Sequence, residues 1–242
     1  MDRPMKIGLI GFGKMGKAIQ EIAQQRGHQI CWTIDSSNQQ LLNNETLRQV
    51  EVAIEFTNPH SALQNVSTCL KAGIPIVCGS TGWTNSLATA ETLCREKNGT
   101  FIYASNFSIG VNLFFELNKK LASLMMNQPN YEVLLEEIHH TQKKDAPSGT
   151  AITLAEQILA IVDRKKQWVN DISDNPDDLE IISQRIDPTP GTHSVKYSSV
   201  IDDIEIIHTA HNRTGFATGA VKAAEYIVNK KGIFTMKDVL GL

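Results

Sequence analysis

His139, His140, Lys143 and Lys144 stand together in one stretch, Glu136–Ala151, which reads EEIHHTQKKDAPSGTA. A histidine can deliver or take a proton near neutral pH, so His139 is a candidate proton donor. Lys143 can neutralise a carboxylate. Asp145, Pro147 and Ser148 are residue types that start helices. The N–H groups of Ser148, Gly149 and Thr150 are therefore expected to be free to hold an anion, and Gly149 has no side chain to keep a ligand away. Together these residues describe a site for a small dicarboxylate beside a proton donor. Spacing alone fits a solvated surface loop as well.

A second group is rich in glycine. Gly11-Phe12-Gly13-Lys14-Met15-Gly16 is a G-x-G-x-x-G between an apolar run and a helical pattern. Gly11 permits the tight turn, Gly13 lets the backbone approach a pyrophosphate, and Gly16 lets helix and strand pack closely. Asp35 follows Gly16 by 19 residues, at the end of a second apolar run. A carboxylate there can accept hydrogen bonds from ribose hydroxyls, although it can also simply cap a strand end. Such a turn, with strand, helix and acidic residue all in place, predicts dinucleotide binding.

The elements that must position these groups come from periodicity. Short strands are expected at Lys6–Ile10, Ile30–Ile34, Val52–Phe56, Ile74–Cys78 and Phe101–Ala104. Between them, Met15, Ala18, Ile19, Ile22 and Ala23 share one helical face ending at Gly27, and helices are expected at His60–Ala72 and Asn85–Lys97. This alternation implies a parallel sheet with helices on both faces. The pattern then changes. A helix at Val111–Met126 precedes a strand at Tyr131–Ile138 and a helix at Ala151–Val162. The stretch Gln167–Asp187 is polar and weakly periodic. His193–Val200 and Ile204–His208 read as a hairpin across Asp202-Asp203. The helix Ala217–Val228 is expected to return to the first domain. The fold class is α/β: a Rossmann-type dinucleotide-binding domain from residues 1–110 and 213–242, and an α+β domain with a mixed sheet, residues 111–212, for substrate binding and oligomerisation.

Composition narrows the partners. Hydrophobic residues make up 41% and charged residues 20%, with a net charge of −3. Mild acidity argues against nucleic acid or an anionic membrane as partner. No apolar run approaches the roughly 20 residues of a spanning helix, and the N-terminus, MDRPMKIGLIGFG, does not read as a signal peptide. Cys31, Cys69, Cys78 and Cys94 are scattered, which suits reduced thiols rather than a metal site or disulfide frame. A cytoplasmic protein without a metal is expected.

The stretch Glu137–Ala151 also resembles a known signature, E-x-H-H-x-x-K-x-D-A-P-S-G-T-A, of the dihydrodipicolinate reductase family. Ile54-Glu55-Phe56-Thr57 resembles the family's I-D-F-T, and Cys78-Gly79-Ser80-Thr81-Gly82 its I-G-T-T-G, with Ser80 replacing a threonine. Ala104-Ser105-Asn106-Phe107-Ser108-Ile109-Gly110 resembles A-x-N-F-S-x-G. Arg213, Phe216, Ala217, Gly219 and Ala220 follow R-x-x-F-A-x-G-A. The likeness runs from residue 6 to beyond residue 220.

That resemblance implies NAD(P)H-dependent reduction of 4-hydroxy-tetrahydrodipicolinate, a small cyclic dicarboxylate, in the diaminopimelate–lysine route. By position, His139 would donate the proton and Lys143 would orient the substrate and assist. His140, Gly149 and Thr150 would bind its carboxylates. Gly11, Phe12, Gly13, Lys14, Met15, Asp35, Gly79, Ser80, Thr81, Ala104, Ser105, Asn106 and Phe107 would line the cofactor. NADH is expected, with NADPH also accepted, because Asp35 is followed by Ser36, Ser37 and Asn38 and by no cation. The resemblance also implies a homotetramer built through the second domain's sheet. Three departures stand out. The segment from Asp35 to Glu51 is shorter than in longer members, the glycine motif is one residue shorter than G-x-x-G-x-M-G, and Thr141 and Gln142 replace basic residues. Two alternatives stay open: another dehydrogenase of aspartate or diaminopimelate, which DAPSGT disfavours, and a non-catalytic nucleotide sensor, which would not need His139 and Lys143.

Overall fold

A computed structural model describes residues 3–242. Met1 and Asp2, the start of the segment weighed as a signal peptide, lie outside the described residues. The chain divides into two compact units, one running to Ile109 and resuming at Arg213–Leu242, the other Gly110–Asn212.

The first unit contains β1 (Lys6–Ile10), α1 (Lys14–Gln25), β2 (Gln29–Ile34), α2 (Asn44–Leu47), β3 (Val52–Glu55), α3 (Pro59–Lys71), β4 (Ile76–Cys78), α4 (Leu87–Glu96) and β5 (Thr100–Tyr103). The second unit holds α5 (Ile109–Met125, starting on the boundary), β6 (Glu132–His139), α6 (Gly149–Leu159), β7 (Gln167–Val169), β8 (Asp178–Arg185), β9 (Gly191–Ser198) and β10 (Asp203–Ala210). The chain re-enters the first unit as α7 (Thr214–Ile227), β11 (Gly232–Phe234) and α8 (Met236–Leu240).

In the first unit six parallel strands run in the order β11-β5-β4-β3-β1-β2. β1, β3 and β4 are almost wholly buried, as expected when helices cover both faces of a parallel sheet. Ile19 and Ala23 of α1 and Ala217, Ala220, Val221 and Ala224 of α7 pack with Ile7, Leu9 and Ile54 on one face. The α3 and α4 residues Val66, Leu70 and Ala90 pack with Ile10, Ile76 and Phe101 on the other. The chain leaves β1 for β2 on one side and returns to β3 on the other. Ligands of such sheets bind outside the strand carboxyl ends at this reversal.

The second unit carries a mixed five-stranded sheet in the order β10-β9-β6-β8-β7. β9 pairs antiparallel with β6 and β10, while β8 runs parallel to β6 and β7. α5 and α6 cover one face, burying Phe114, Phe115, Leu154 and Ile158 against Leu135, Leu179, Val195 and Tyr197.

The stretch Gln167–Asp187, polar and weakly periodic in sequence and given no element there, contains β7 and β8. Its polar residues satisfy one another: Asp178 accepts from the Gln167 amide and the Ser173 hydroxyl at 2.9 and 2.8 Å. Leu179 and Ile181 supply an alternating buried pair, too short a run to stand out in so polar a segment. β11, which closes the edge of the first sheet beside β5, was not anticipated either.

Candidate active site

The glycine turn shows a distinct reason for each glycine. Gly11 has φ +96°, and a Cβ there would overlap the Phe56 carbonyl after β3. A Cβ on Gly16 would overlap the Gly11 carbonyl, so this glycine sets how closely α1 approaches β1. A Cβ on Gly13 would meet nothing within 4 Å. Packing does not require that glycine, so the open space above it fits close approach by a ligand. Gly13 also caps α1 without any side-chain hydrogen bond, which leaves the helix start to an anion such as a pyrophosphate.

The neighbouring loops converge on one buried carboxylate. Glu55 is fully buried at the end of β3. It accepts from the Ser80 hydroxyl at 3.0 Å, from the Thr57 N–H at 3.1 Å and from the Thr57 hydroxyl. Ser80 is thus turned inward, and its Oγ also accepts the Thr57 N–H at 2.8 Å. A Cβ at Gly79 would collide with the Phe56 ring. Phe107, expected to line the cofactor, buries its side chain in the core with its ring 5.7 Å from Phe56. Ala104 hydrogen-bonds through its N–H to the Cys78 carbonyl, and the Asn106 side chain accepts the Ser108 N–H at 2.8 Å. Phe12, Lys14, Met15, Thr81 and Ser105 are exposed or half-buried around the turn. Asp35 is exposed at the end of β2, where one oxygen accepts the Ser37 N–H at 2.8 Å and the Ser37 hydroxyl at 2.6 Å. The hydroxyl and then the amide of Ser37 hold its carboxyl below the usual aspartate range.

In the second unit the strand period of two decides which side chains meet. Val133, Leu135, Glu137 and His139 alternate onto the buried face of β6. β6 is the central strand, so both neighbours add side chains: Glu137 pairs with His193 of β9 and Ser183 of β8, and His139 pairs with Arg185. His139 Nδ1 lies 2.6 Å from Glu137 Oε2. This ion-pair contact lies off the ideal hydrogen-bond line, and neither atom has another partner among the described residues. Glu137 Oε1 accepts from Arg185 at 3.0 Å and from the Ser148 N–H at 3.2 Å. Burial would raise the Glu137 carboxyl. The hydrogen bonds of His139, Ser148, Ser183 and Arg185 outweigh it and hold the group well below the ordinary range.

One expectation is corrected here. The Ser148 N–H is not free for a ligand, because Glu137 takes it. The Ser148 hydroxyl caps α6 by accepting the Ala151 N–H at 3.2 Å and also meets His193 Nε2 at 3.0 Å. Gly149 is exposed, and a Cβ there would meet nothing within 4 Å. Thr150 is half-buried beside it in the first turn of α6. His140, on the opposite strand face from His139, is half-buried. Lys143 is folded onto Asp145, at 2.8 and 2.9 Å to its two oxygens.

Glu137, His139 and His193 are also the one group with metal-ligand spacing among the described residues. Two ligand atoms at the ~2.0–2.2 Å distances of a zinc ion stand roughly 3.3 Å apart. The 2.6 Å contact between Glu137 and His139 is shorter, and the Arg185 guanidinium beside it opposes a cation. This geometry is that of a direct carboxylate–imidazole pair. Sequence reasoning missed Arg185, His193 and the part played by Glu137. A charged residue continuing the apolar face of Val133 and Leu135 was the available signal.

Comparisons with known proteins agree along the whole chain. Residues 5–107 match the family model for the N-terminus of dihydrodipicolinate reductase, and residues 110–240 the one for its C-terminus. The chain is 51% identical over 238 residues to a 4-hydroxy-tetrahydrodipicolinate reductase of Christiangramia forsetii, covering 98% of each. It is 36% identical over 239 residues to that of Thermosipho africanus, again covering 98% of each. The dipicolinate-bound dihydrodipicolinate reductase from Paenisporosarcina sp. TG-14 shares the fold, with a TM-score of 0.76 and 23% identity over 98% of this chain and 99% of that one.

Proposed function

The chain belongs to the dihydrodipicolinate reductase family, and from that premise we propose that it reduces 4-hydroxy-tetrahydrodipicolinate to tetrahydrodipicolinate in diaminopimelate and lysine biosynthesis. The observation that carries the reading is the buried His139, held against an ionised Glu137 on the unit whose α6 start and Lys143 suit a dicarboxylate. The first unit, residues 1–110 and 213–242 in our reading, takes the dinucleotide. Residues 111–212 take the substrate.

A bound nicotinamide supplies the hydride to an unsaturated ring carbon. The charge that builds on the neighbouring carbon and nitrogen is met by a proton from His139. His139 Nε2 faces the bare backbone of Gly191, where a side chain would crowd it. Lys143 exchanges Asp145 for a substrate carboxylate, while His140, Gly149 and Thr150 hold the carboxylates and fix the ring. Holding the ring in place can supply several kcal/mol of rate enhancement, and the proton donor adds typically ~10²–10⁴-fold. In the first unit, the Gly11–Met15 turn takes the pyrophosphate and Asp35 the adenosine ribose. Gly79, Ser80, Thr81 and Ala104–Phe107 line the remainder through backbone and exposed groups. NADH and NADPH both serve, with NADH modestly preferred because Asp35 repels a 2′-phosphate.

Exposed apolar side chains support self-association as a homotetramer. Leu113, Leu117 and Leu124 of α5 and Ile204 and Ile207 of the edge strand β10 are all more than two-fifths exposed. No described helix is long and apolar enough to cross a membrane, and all four cysteines are free. Both facts accord with work in the cytoplasm.

The test is a coupled assay in which the substrate is made in situ and NADH absorbance is followed, in wild type and His139→Gln. The variant is expected to lose at least about a hundredfold in kcat while its Kd for NADH, measured directly, holds. Retention of more than about a tenth of wild-type kcat removes His139 from the donor role.

A further inference from the structure

We infer that Glu137 is a positioning residue: it holds the Nδ1 proton and the orientation of His139, so that the ring takes up its second proton, the one it donates, on Nε2, the nitrogen turned to the substrate. The inference rests on the reading of His139 as proton donor. Three observations carry it.

The first is placement. The β6 face that buries Val133 and Leu135 continues into Glu137, whose side chain is fully buried. A carboxylate taken from water is costly unless paired and hydrogen-bonded. An apolar residue would extend that core more cheaply, so Glu137 breaks the local rule in the way functional sites do.

The second is how the two carboxylate oxygens are divided. Oε1 is claimed by Arg185 at 3.0 Å and by the Ser148 N–H at 3.2 Å. Arg185 is itself anchored on the Asp145 carbonyl at 2.6 Å. These donors set the rotation of the carboxylate and leave Oε2 beside His139 Nδ1, 2.6 Å away. An ionised carboxylate can only accept there, so the imidazole nitrogen facing it carries the proton.

The third is the absence of slack around the ring. Its neighbour His193 stands edge-on, with ring centroids 5.1 Å apart. On the Nε2 side, a Cβ at Gly191 would come within 3.0 Å. With one edge held by Glu137 and the other opened by a glycine, the ring presents Nε2. An orienting carboxylate of this kind matters because it stabilises the doubly protonated ring from which Nε2 donates; without it, a neutral ring would have to give up its only proton and become an imidazolate.

Glu137→Gln gives a sharp test. Arg185 and Ser148 both donate, so they hold the new carbonyl oxygen and turn the amide NH₂ toward His139. Nδ1 must then accept, and the proton of the neutral ring moves to Nε2. A fully protonated ring would face an N–H with no acceptor. The experiment uses histidine-labelled full-length protein, ¹⁵N solid-state spectra at a pH where the ring is neutral, and the coupled assay. His139 is assigned by its loss in His139→Gln. We expect wild type to show a protonated Nδ1, and Glu137→Gln to show an unprotonated Nδ1 with kcat down at least ~10-fold. KM for the substrate should stay within about threefold, since Glu137 does not touch it. Glu137→Asp keeps the charge but withdraws it by one methylene; its kcat should fall between the other two, and it stands in if the glutamine variant does not fold.

An unchanged His139 tautomer in Glu137→Gln, or an aspartate variant with wild-type kcat and tautomer, overturns the inference. A switched tautomer with undiminished kcat upholds the positioning and instead sinks the donor role of His139. The two failures are therefore distinguishable.

Discussion

Replacing His193 with glutamine should flatten the acid dependence of stability. His193 is 5% exposed, lies opposite Glu137 across the β6–β9 pair, and meets the Ser148 hydroxyl through Nε2 at 3.0 Å. That hydroxyl accepts the Ala151 N–H through one lone pair and keeps a second lone pair and its proton for the neutral His193 ring. Burial, and then the neighbouring His139, push the His193 pKa down to about 3, against an opposing pull from Glu137. The unfolded chain recovers the ordinary value near 6.5. Between those values the unfolded state binds the extra proton. The stability contributed by a neutral His193 is therefore complete above about pH 6.5 and is lost as pH falls toward about 3. At ~1.4 kcal/mol per pH unit, the loss between pH 7 and pH 5 is about 2 kcal/mol. Glutamine can still hydrogen-bond with Ser148 but does not titrate. Urea unfolding followed by circular dichroism, at both pH values, should show wild type losing about 2 kcal/mol more than His193→Gln. His208, also held low by burial, is present in both proteins and cancels in the difference. Equal losses in the two proteins would refute a buried neutral His193.

Three further outcomes follow from the site. Lys143→Ala should raise KM for the dicarboxylate and lower kcat together, because a cation on a carboxylate binds ground and transition states alike; an unchanged KM in steady-state assays counts against that contact. Asp35→Ala should move the ratio of kcat/KM for NADPH over NADH upward several-fold, as one exposed charge contact is worth about 1 kcal/mol; a ratio that does not move, measured at one ionic strength, removes Asp35 from cofactor choice. Gly13→Ala should fold with stability within about 1 kcal/mol of wild type and lose NADH affinity, whereas Gly16→Ala, whose Cβ overlaps the Gly11 carbonyl, should cost about 1–3 kcal/mol or more. Thermal melts and NADH titration separate the two, and a Gly13→Ala protein that binds NADH normally would show that no ligand uses that opening.

Much of this protein is local information. The G-x-G-x-x-G turn, the strands on either side of Asp35 and the helix that opens at Ser148 are set by glycine conformation, apolar period and capping chemistry within a few residues of each feature. They can be read before any fold is known. The alternation of strands and helices up to Tyr103, and its end at α5, also follow from periodicity. Asp178–Arg185 was not legible, because its pairing partners β6 and β7 lie elsewhere in the chain and its polar residues are satisfied by neighbours across the ladder. Nor was β11, which has too few residues to show a period and is a strand because β5 offers it an edge. The environment of His139 belongs to the same class. Residues 137 and 139 share a face by the strand period alone, but register brings Arg185 from β8 and His193 from β9 to them, and α6 returns the Ser148 N–H to Glu137. Sequence placed a histidine where a proton could be needed. Tertiary structure decided which atoms surround it, because sheet register and burial are properties of segments brought together from distant parts of the chain.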